Sequence, residues 1–166
     1  MAEVSEAGRR ALSDMRAMLG VLRTDDPPAG LAPQPGVNQL GALVERVRAT
    51  GLAVDLDIGD DPFPLGAAAE LTVYRIVQEA LTNTIRHAGA RRAAVSIRYD
   101  APRVEVLVAD DGTAPAPDRH RGHGIEGMCE RAALHGGAVS AGPVPAGGWL
   151  VSAVLRPDHQ AEAVST

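Results

Sequence analysis

Aromatic residues are scarce in this chain. Its 166 residues include one Trp, one Phe and two Tyr, or 2%, although 45% are apolar. A core of any size must therefore be built from Ala, Val, Leu and Ile. Cysteine is scarcer still: Cys129 stands alone, which excludes an internal disulfide. On a predicted helix it reads as a small, partly buried hydrophobe. No apolar run approaches a membrane span and no signal peptide opens the sequence. The segment is thus expected to be soluble and cytoplasmic without membrane contact, while a membrane-bound parent protein stays open. Excess positive charge is also lacking. Lys and Arg number 16 against 21 Asp and Glu, a net charge of -5, and no basic stripe offsets it. That excludes a general nucleic-acid binder. The length suits one domain with an appendage, and no internal repeat is visible.

What the chain does have is one long periodic stretch, residues 70–88. Leu71, Tyr74, Val77 (or Ile76), Leu81 and Ile85 recur at steps of three and four, the spacing of a single buried helix face. Most of the remainder suits a helix surface. Glu79 and Asn83 are four apart and point the same way from neighbouring turns. Arg86 follows three residues on and His87 four. One stripe thus offers a carboxylate, an amide and a cation: a general base, a neutral oxygen ligand for a hard metal and a phosphate partner. An ordinary solvated face has the same composition, so this stretch alone leaves both readings open.

The other elements follow from periodicity and turn signals. Residues 3–23 read as an amphipathic helix, with Val4, Ala11, Leu12, Met15, Met18, Leu19 and Leu22 as its apolar stripe. Such a stripe either packs on its own domain or is half of a dimerisation bundle. Residues 25–36 hold Pro27, Pro28, Pro33 and Pro35 with Gly30 and Gly36, a linker rather than an element. A helix over 37–50 buries Leu40, Leu43, Val44 and Val47, and Gly51 stops it. Residues 52–58 alternate as a strand with one buried face. The long helix then covers about 66–87. Residues 93–99 and 103–109 form a hairpin whose second strand is apolar on both faces, which suggests a central position. A loop at 112–122, a helix at 124–135 and strands at 138–141 and 149–155 close the domain near 157. Residues 158–166 read as a flexible tail. The order predicts an α+β fold: a two-layer sandwich of a mixed β-sheet with helices on one face, plus the N-terminal helix.

Three motifs in order carry a resemblance: I-V-Q-E-A-L-T-N-T-I-R-H-A (76–88), V-L-V-A-D-D-G (106–112) and G-H-G-I-E-G-M-C-E-R (122–131). Together they resemble the ATP-binding catalytic domain of bacterial sensor histidine kinases, closest to the class that signals to NarL-type response regulators. The parent superfamily includes gyrase, the heat-shock chaperone ATPases and MutL. The resemblance covers about 36–157 and implies the same two-layer fold. It implies ATP and Mg²⁺ as cofactors, Glu79 as the acid–base residue and Asn83 as the metal ligand. Arg86 and His87 match positions near the phosphates, although His87 also reads as a helix C-terminal cation. Asp110 matches the acceptor of the adenine amine, and Gly112 lets backbone and base approach. Gly122, His123 and Gly124 match the phosphate loop at a helix N-terminus. Arg119, His120 and Arg121 form either a lid or a solvated basic loop. The family's pattern continues to a second glycine where this chain has Ala114. The segment A-L-S-D-M-R-A-M-L-G-V-L-R (11–23) resembles the second helix of the family's dimerisation hairpin, which implies a homodimer.

The family's acceptor histidine lies in an Arg- and Glu-rich stretch ending in His-Asp. The five histidines here, His87, His120, His123, His135 and His159, stand in no such stretch. The chain is therefore expected to donate the γ-phosphate to a histidine helix supplied from elsewhere, for relay to a NarL-type regulator. Two other readings stay open. One is an anti-sigma-factor serine kinase of the same superfamily, and the other a non-catalytic nucleotide-binding or dimerisation module.

Overall fold

The computed structural model describes residues 34–60, 62–113 and 123–157, without the side chains of His87, Ala88 and His123. The expected N-terminal helix, most of the linker, the basic loop with Ala114 and Gly122, and the tail lie outside these residues.

A 3₁₀ turn, Val37–Gln39, leads into α1, Leu40–Arg48, which buries Leu40, Leu43, Val44 and Val47 as its spacing predicts. The Arg48 guanidinium donates to the Val54 carbonyl at 2.9 Å and ties α1 to the next strand. That strand, β1 (Ala53–Ile58), is followed by α2 (Ala67–Asn83) and a π turn, Thr84–Ala88. Then come β2 (Arg92–Asp100), β3 (Arg103–Asp110), α3 (His123–Ala133), β4 (Ala138–Pro143) and β5 (Trp149–Leu155). The strands form one sheet in the order β1-β2-β3-β5-β4. β1 runs parallel to β2, and the other pairs are antiparallel. The parallel pair needs a crossover, and α2 supplies it. β3 is central, as its two apolar faces suggest.

The alternation of each strand assigns the faces. Val95, Ile97, Val104, Val106, Val108, Val151, Ala153 and Leu155 are buried on one side, in register across three strands. All three helices pack over that side. The other side carries Asp55, Asp57, Arg98 and Glu105 into solvent, and Arg98 pairs there with Asp57. The chain thus has the mixed-sheet, one-sided sandwich that its element order predicts.

Helix α2 departs from the single-stripe expectation. Tyr74, Ile76, Val77 and Leu81 are fully buried, but Leu71 and Ile85 are only partly so. Thr72, Gln78 and Thr82, which the pattern places at the surface, are buried. The reason is packing on three sides: α1, α3 and the sheet all meet α2. Internal hydrogen bonds satisfy the enclosed polar groups. The Thr82 hydroxyl donates to the Gln78 carbonyl at 2.7 Å, and Arg46 donates to the Tyr74 hydroxyl at 3.0 Å. Cys129 is partly buried, with its sulfur 3.8 Å from the Val139 carbonyl oxygen. No described helix is long and apolar enough to cross a membrane.

Candidate functional site

The C-terminal half of α2 presents Glu79 and Asn83, both partly exposed and one turn apart. Helix α3 begins at His123, and its second residue is pressed against them. A Cβ placed on Gly124 would lie 2.1 Å from Glu79 Oε1 and 3.4 Å from Asn83 Nδ2. Only glycine allows this approach without displacing the carboxylate. The free N–H groups of the first turn of α3 are therefore held beside the acid–amide stripe. Two motifs separated by 33 residues of sequence, 89–121, share one surface as a result.

The third motif joins through the residue after Asn83. Thr84 is buried at the start of the π turn, and its hydroxyl donates to Asp110 Oδ2 at 3.0 Å. The Gly112 N–H donates to Asp110 Oδ1 at 2.9 Å. Asp110 is the last residue of β3 and remains partly exposed. Each of its oxygens accepts one internal bond and keeps capacity for another, so the carboxylate is oriented but not saturated. Behind it, a Cβ on Gly148 would lie 1.9 Å from the Asp110 carbonyl oxygen. The β4–β5 turn thus rests directly on the end of β3.

The neighbouring acid faces a different task. Asp111 Oδ1 accepts the N–H groups of Arg92 at 2.9 Å and Arg91 at 2.8 Å, which hold its carboxyl below the usual carboxylate range. The adjacent aspartates are therefore divided, one tying down the entry to β2 and one left with unused acceptor capacity.

Arg86 lies on the π turn, partly exposed, and His87 belongs to the same turn. Gly112 is buried next to Asp110. His123 is the first residue of α3, while Gly122 falls outside the described residues. The sequence pattern did not single out Thr84 or Gly148. A threonine near a helix end and a glycine in a turn are too common to stand out.

Among the described residues no group of three His, Cys, Asp or Glu could hold a metal ion. The fit of Mg²⁺ therefore rests on Asn83. Mg²⁺ keeps several waters and takes few protein ligands when phosphate oxygens are present, so one amide oxygen at the mouth of the site suits it.

A mixed sheet roofed on one side, with an acid–amide helix stripe, a glycine-started helix and a strand-end carboxylate in one place, defines an ATP-binding domain of the two-layer ATPase class. Residues 68–159 match the family model described as histidine kinase-, DNA gyrase B- and HSP90-like ATPase. The chain is 33% identical over 155 residues to the sensor histidine kinase YxjM of Bacillus subtilis, covering 92% of this chain and 36% of that one. It is 32% identical over 120 residues to the sensor histidine kinase NarS of Mycobacterium tuberculosis, covering 70% and 25%. Among solved structures it is similar to the histidine kinase domain of the Erythrobacter litoralis EL346 blue-light activated kinase. The TM-score there is 0.58 at 20% identity, covering 96% of this chain and 82% of that one. The chain belongs to this ATPase family, and within it is an ATP-binding catalytic domain of the sensor histidine kinase type. It spans about a third or less of the length of the relatives it matches.

Proposed function

We propose that this domain binds Mg·ATP and transfers the γ-phosphate to a histidine presented by another helix, for relay to a NarL-type response regulator in the cytoplasm. One observation carries the reading: Gly124 lies against Glu79 and Asn83 while the next residue, Thr84, holds Asp110. This supports a reading in which the triphosphate end and the base end meet at the adjacent residues Asn83 and Thr84.

In this reading the Asp110 carboxylate accepts the exocyclic amine of adenine, and Gly112 leaves room for the ring. Asn83 offers its amide oxygen to the metal. Magnesium bound there supplies neutralisation of charge on the phosphates, since phosphoryl transfer is largely positioning and electrostatics. Arg86, His87 and the loop Gly122, His123 and Gly124 contact the phosphates, with N–H groups of α3 adding the helix dipole. Glu79 orients the incoming imidazole and accepts the proton from its ring nitrogen. Residues 1–24 serve as part of a dimerisation helix and 25–36 as its linker.

Calorimetric titration of ATP and ADP, with and without Mg²⁺, tests this reading beside an Asn83→Ala variant. Binding that depends on Mg²⁺ and weakens about tenfold or more in the variant is expected, from loss of a metal ligand. Glu79→Gln should keep nucleotide binding and lose transfer to a supplied histidine helix. Wild-type protein that binds no nucleotide would overturn the reading.

A further inference from the structure

Of the four aromatic residues in the chain, three have partners within the fold. Tyr74 is buried, its hydroxyl accepting from Arg46. Phe63 and Tyr99 meet edge to face, with ring centroids 6.0 Å apart and planes at 84°. The fourth is Trp149, the first residue of β5 and only partly buried. Among the described residues its indole makes no ring contact.

Its position is specific. Trp149 is the cross-strand partner of Asp110. Residues directly opposed in an antiparallel pair put their side chains on the same face, with Cβ atoms about 4.5–5.5 Å apart. The Asp110 side chain reaches Thr84, in the π turn that continues α2, so that face is the helix-covered one. Alternation along β5 agrees, because Val151, Ala153 and Leu155 are buried on it. Trp149 stands one step beyond buried Val151 and is itself only partly buried. Nor can it drift away from Asp110. Gly148, immediately before it, approaches the Asp110 carbonyl so closely that a Cβ would lie 1.9 Å from the oxygen.

The site therefore ends in a broad, partly exposed indole, next to a carboxylate with acceptor capacity to spare. Each feature alone is ordinary. Together they match one ligand shape: a planar apolar ring with an amine on its edge. Packing that ring on the indole removes apolar surface of both from water, while the amine satisfies the carboxylate. We propose that Trp149 is the base-contacting wall of the nucleotide site, packing against a purine whose exocyclic amine is accepted by Asp110. This assignment rests on the nucleotide reading above and adds the residue that recognises the ring rather than the phosphates.

The lone Trp makes the test direct, since all indole emission comes from position 149. The whole chain is titrated with ADP and, separately, with pyrophosphate, both with Mg²⁺, following emission and heat in parallel. ADP should change the emission and pyrophosphate should not. Trp149→Leu should weaken ADP binding about tenfold, and Trp149→Phe should stay within about threefold of wild type, from typical base–aromatic stacking. Pyrophosphate affinity should be unchanged in both variants. ADP binding seen by heat, with wild-type emission unmoved and Trp149→Leu binding as wild type, would overturn the assignment while leaving the nucleotide reading intact. Absence of any ADP binding to wild type would overturn both. If Trp149→Leu does not fold, the wild-type emission and Trp149→Phe still decide.

Discussion

Thr84 has one hydroxyl proton and two acceptors within reach, Asp110 Oδ2 at 3.0 Å and the Ala80 carbonyl at 3.2 Å. The Ala80 carbonyl already accepts the backbone N–H of Thr84 at the helix end. The carboxylate is the stronger acceptor, so the proton belongs to Asp110. Replacing Thr84 by Val keeps the shape and removes the donor, leaving Gly112 as the one internal partner of Asp110 among the described residues. Hydrogen bonds to charged groups contribute about 1.5–3 kcal/mol. Part of that reappears as reorientation of Asp110, so Thr84→Val should weaken ADP binding about fivefold to tenfold, and Thr84→Ser should restore it. Titration calorimetry on both variants checks this, and Thr84→Val binding as wild type would refute it. The motif D-D-G shows how far single residues were legible. The strand before it marked Asp110 as a strand-end carboxylate, and the structure puts it there. That Asp111 is committed to the N–H groups of Arg91 and Arg92 was not legible, because those donors come from the entry to another strand.

At the scale of elements, two glycines make contrasting contacts. Gly124 meets the tip of a flexible side chain, Glu79 Oε1, whereas Gly148 meets backbone, the Asp110 carbonyl, and has φ +90. A methyl group at 124 can be accommodated by swinging Glu79 aside. At 148 neither the backbone nor the positive φ can yield cheaply. Gly124→Ala should therefore retain a cooperative fold near the wild-type Tm and lose most phosphotransfer, because Glu79 no longer stands beside Asn83. Gly148→Ala should lower stability by about 1–3 kcal/mol, read from chemical denaturation. Equal stability loss in both variants would contradict the distinction. Most element boundaries could be read from periodicity, since three-and-four spacing on helices and alternation on strands record which face is covered. The π turn at Thr84–Ala88 could not. Its residues continue the helical spacing through Ile85, and the contact made at its first residue, Thr84 with Asp110, spans 26 positions that periodicity does not record. The burial of Thr72, Gln78 and Thr82 on α2 was hidden for a related reason: periodicity shows one apolar stripe but not that α1, α3 and the sheet meet the helix on three sides.

At the scale of the molecule, the segment after α3 is tied to both layers through His135. The ring is buried, 5% exposed, with Nε2 3.0 Å from the Thr72 hydroxyl on α2. The backbone N–H of Arg156, just past β5, donates to the His135 carbonyl at 2.9 Å. Burial pushes the His135 pKa below its ordinary value, partly opposed by a hydrogen bond to the Ala68 backbone. Unfolded, the imidazole titrates near pH ~6.5. Below that pH the unfolded chain takes up a proton that the folded chain resists. Stability is therefore full above about pH 7 and falls as pH drops from there toward the lowered folded pKa. Carboxylates add little to the slope until about pH 5, so the window between about 5 and 7 reports histidines. The sequence holds four other histidines, His87, His120, His123 and His159, so a variant is needed to isolate the part of His135. His135→Gln should be less stable than wild type at pH 7.5, because the amide fits the ring's cavity imperfectly. Its loss of stability between pH 7.5 and 5.5 should be smaller than that of wild type. Denaturation free energies for both proteins across that range check the point. Parallel pH profiles would show that the acid sensitivity does not arise at His135.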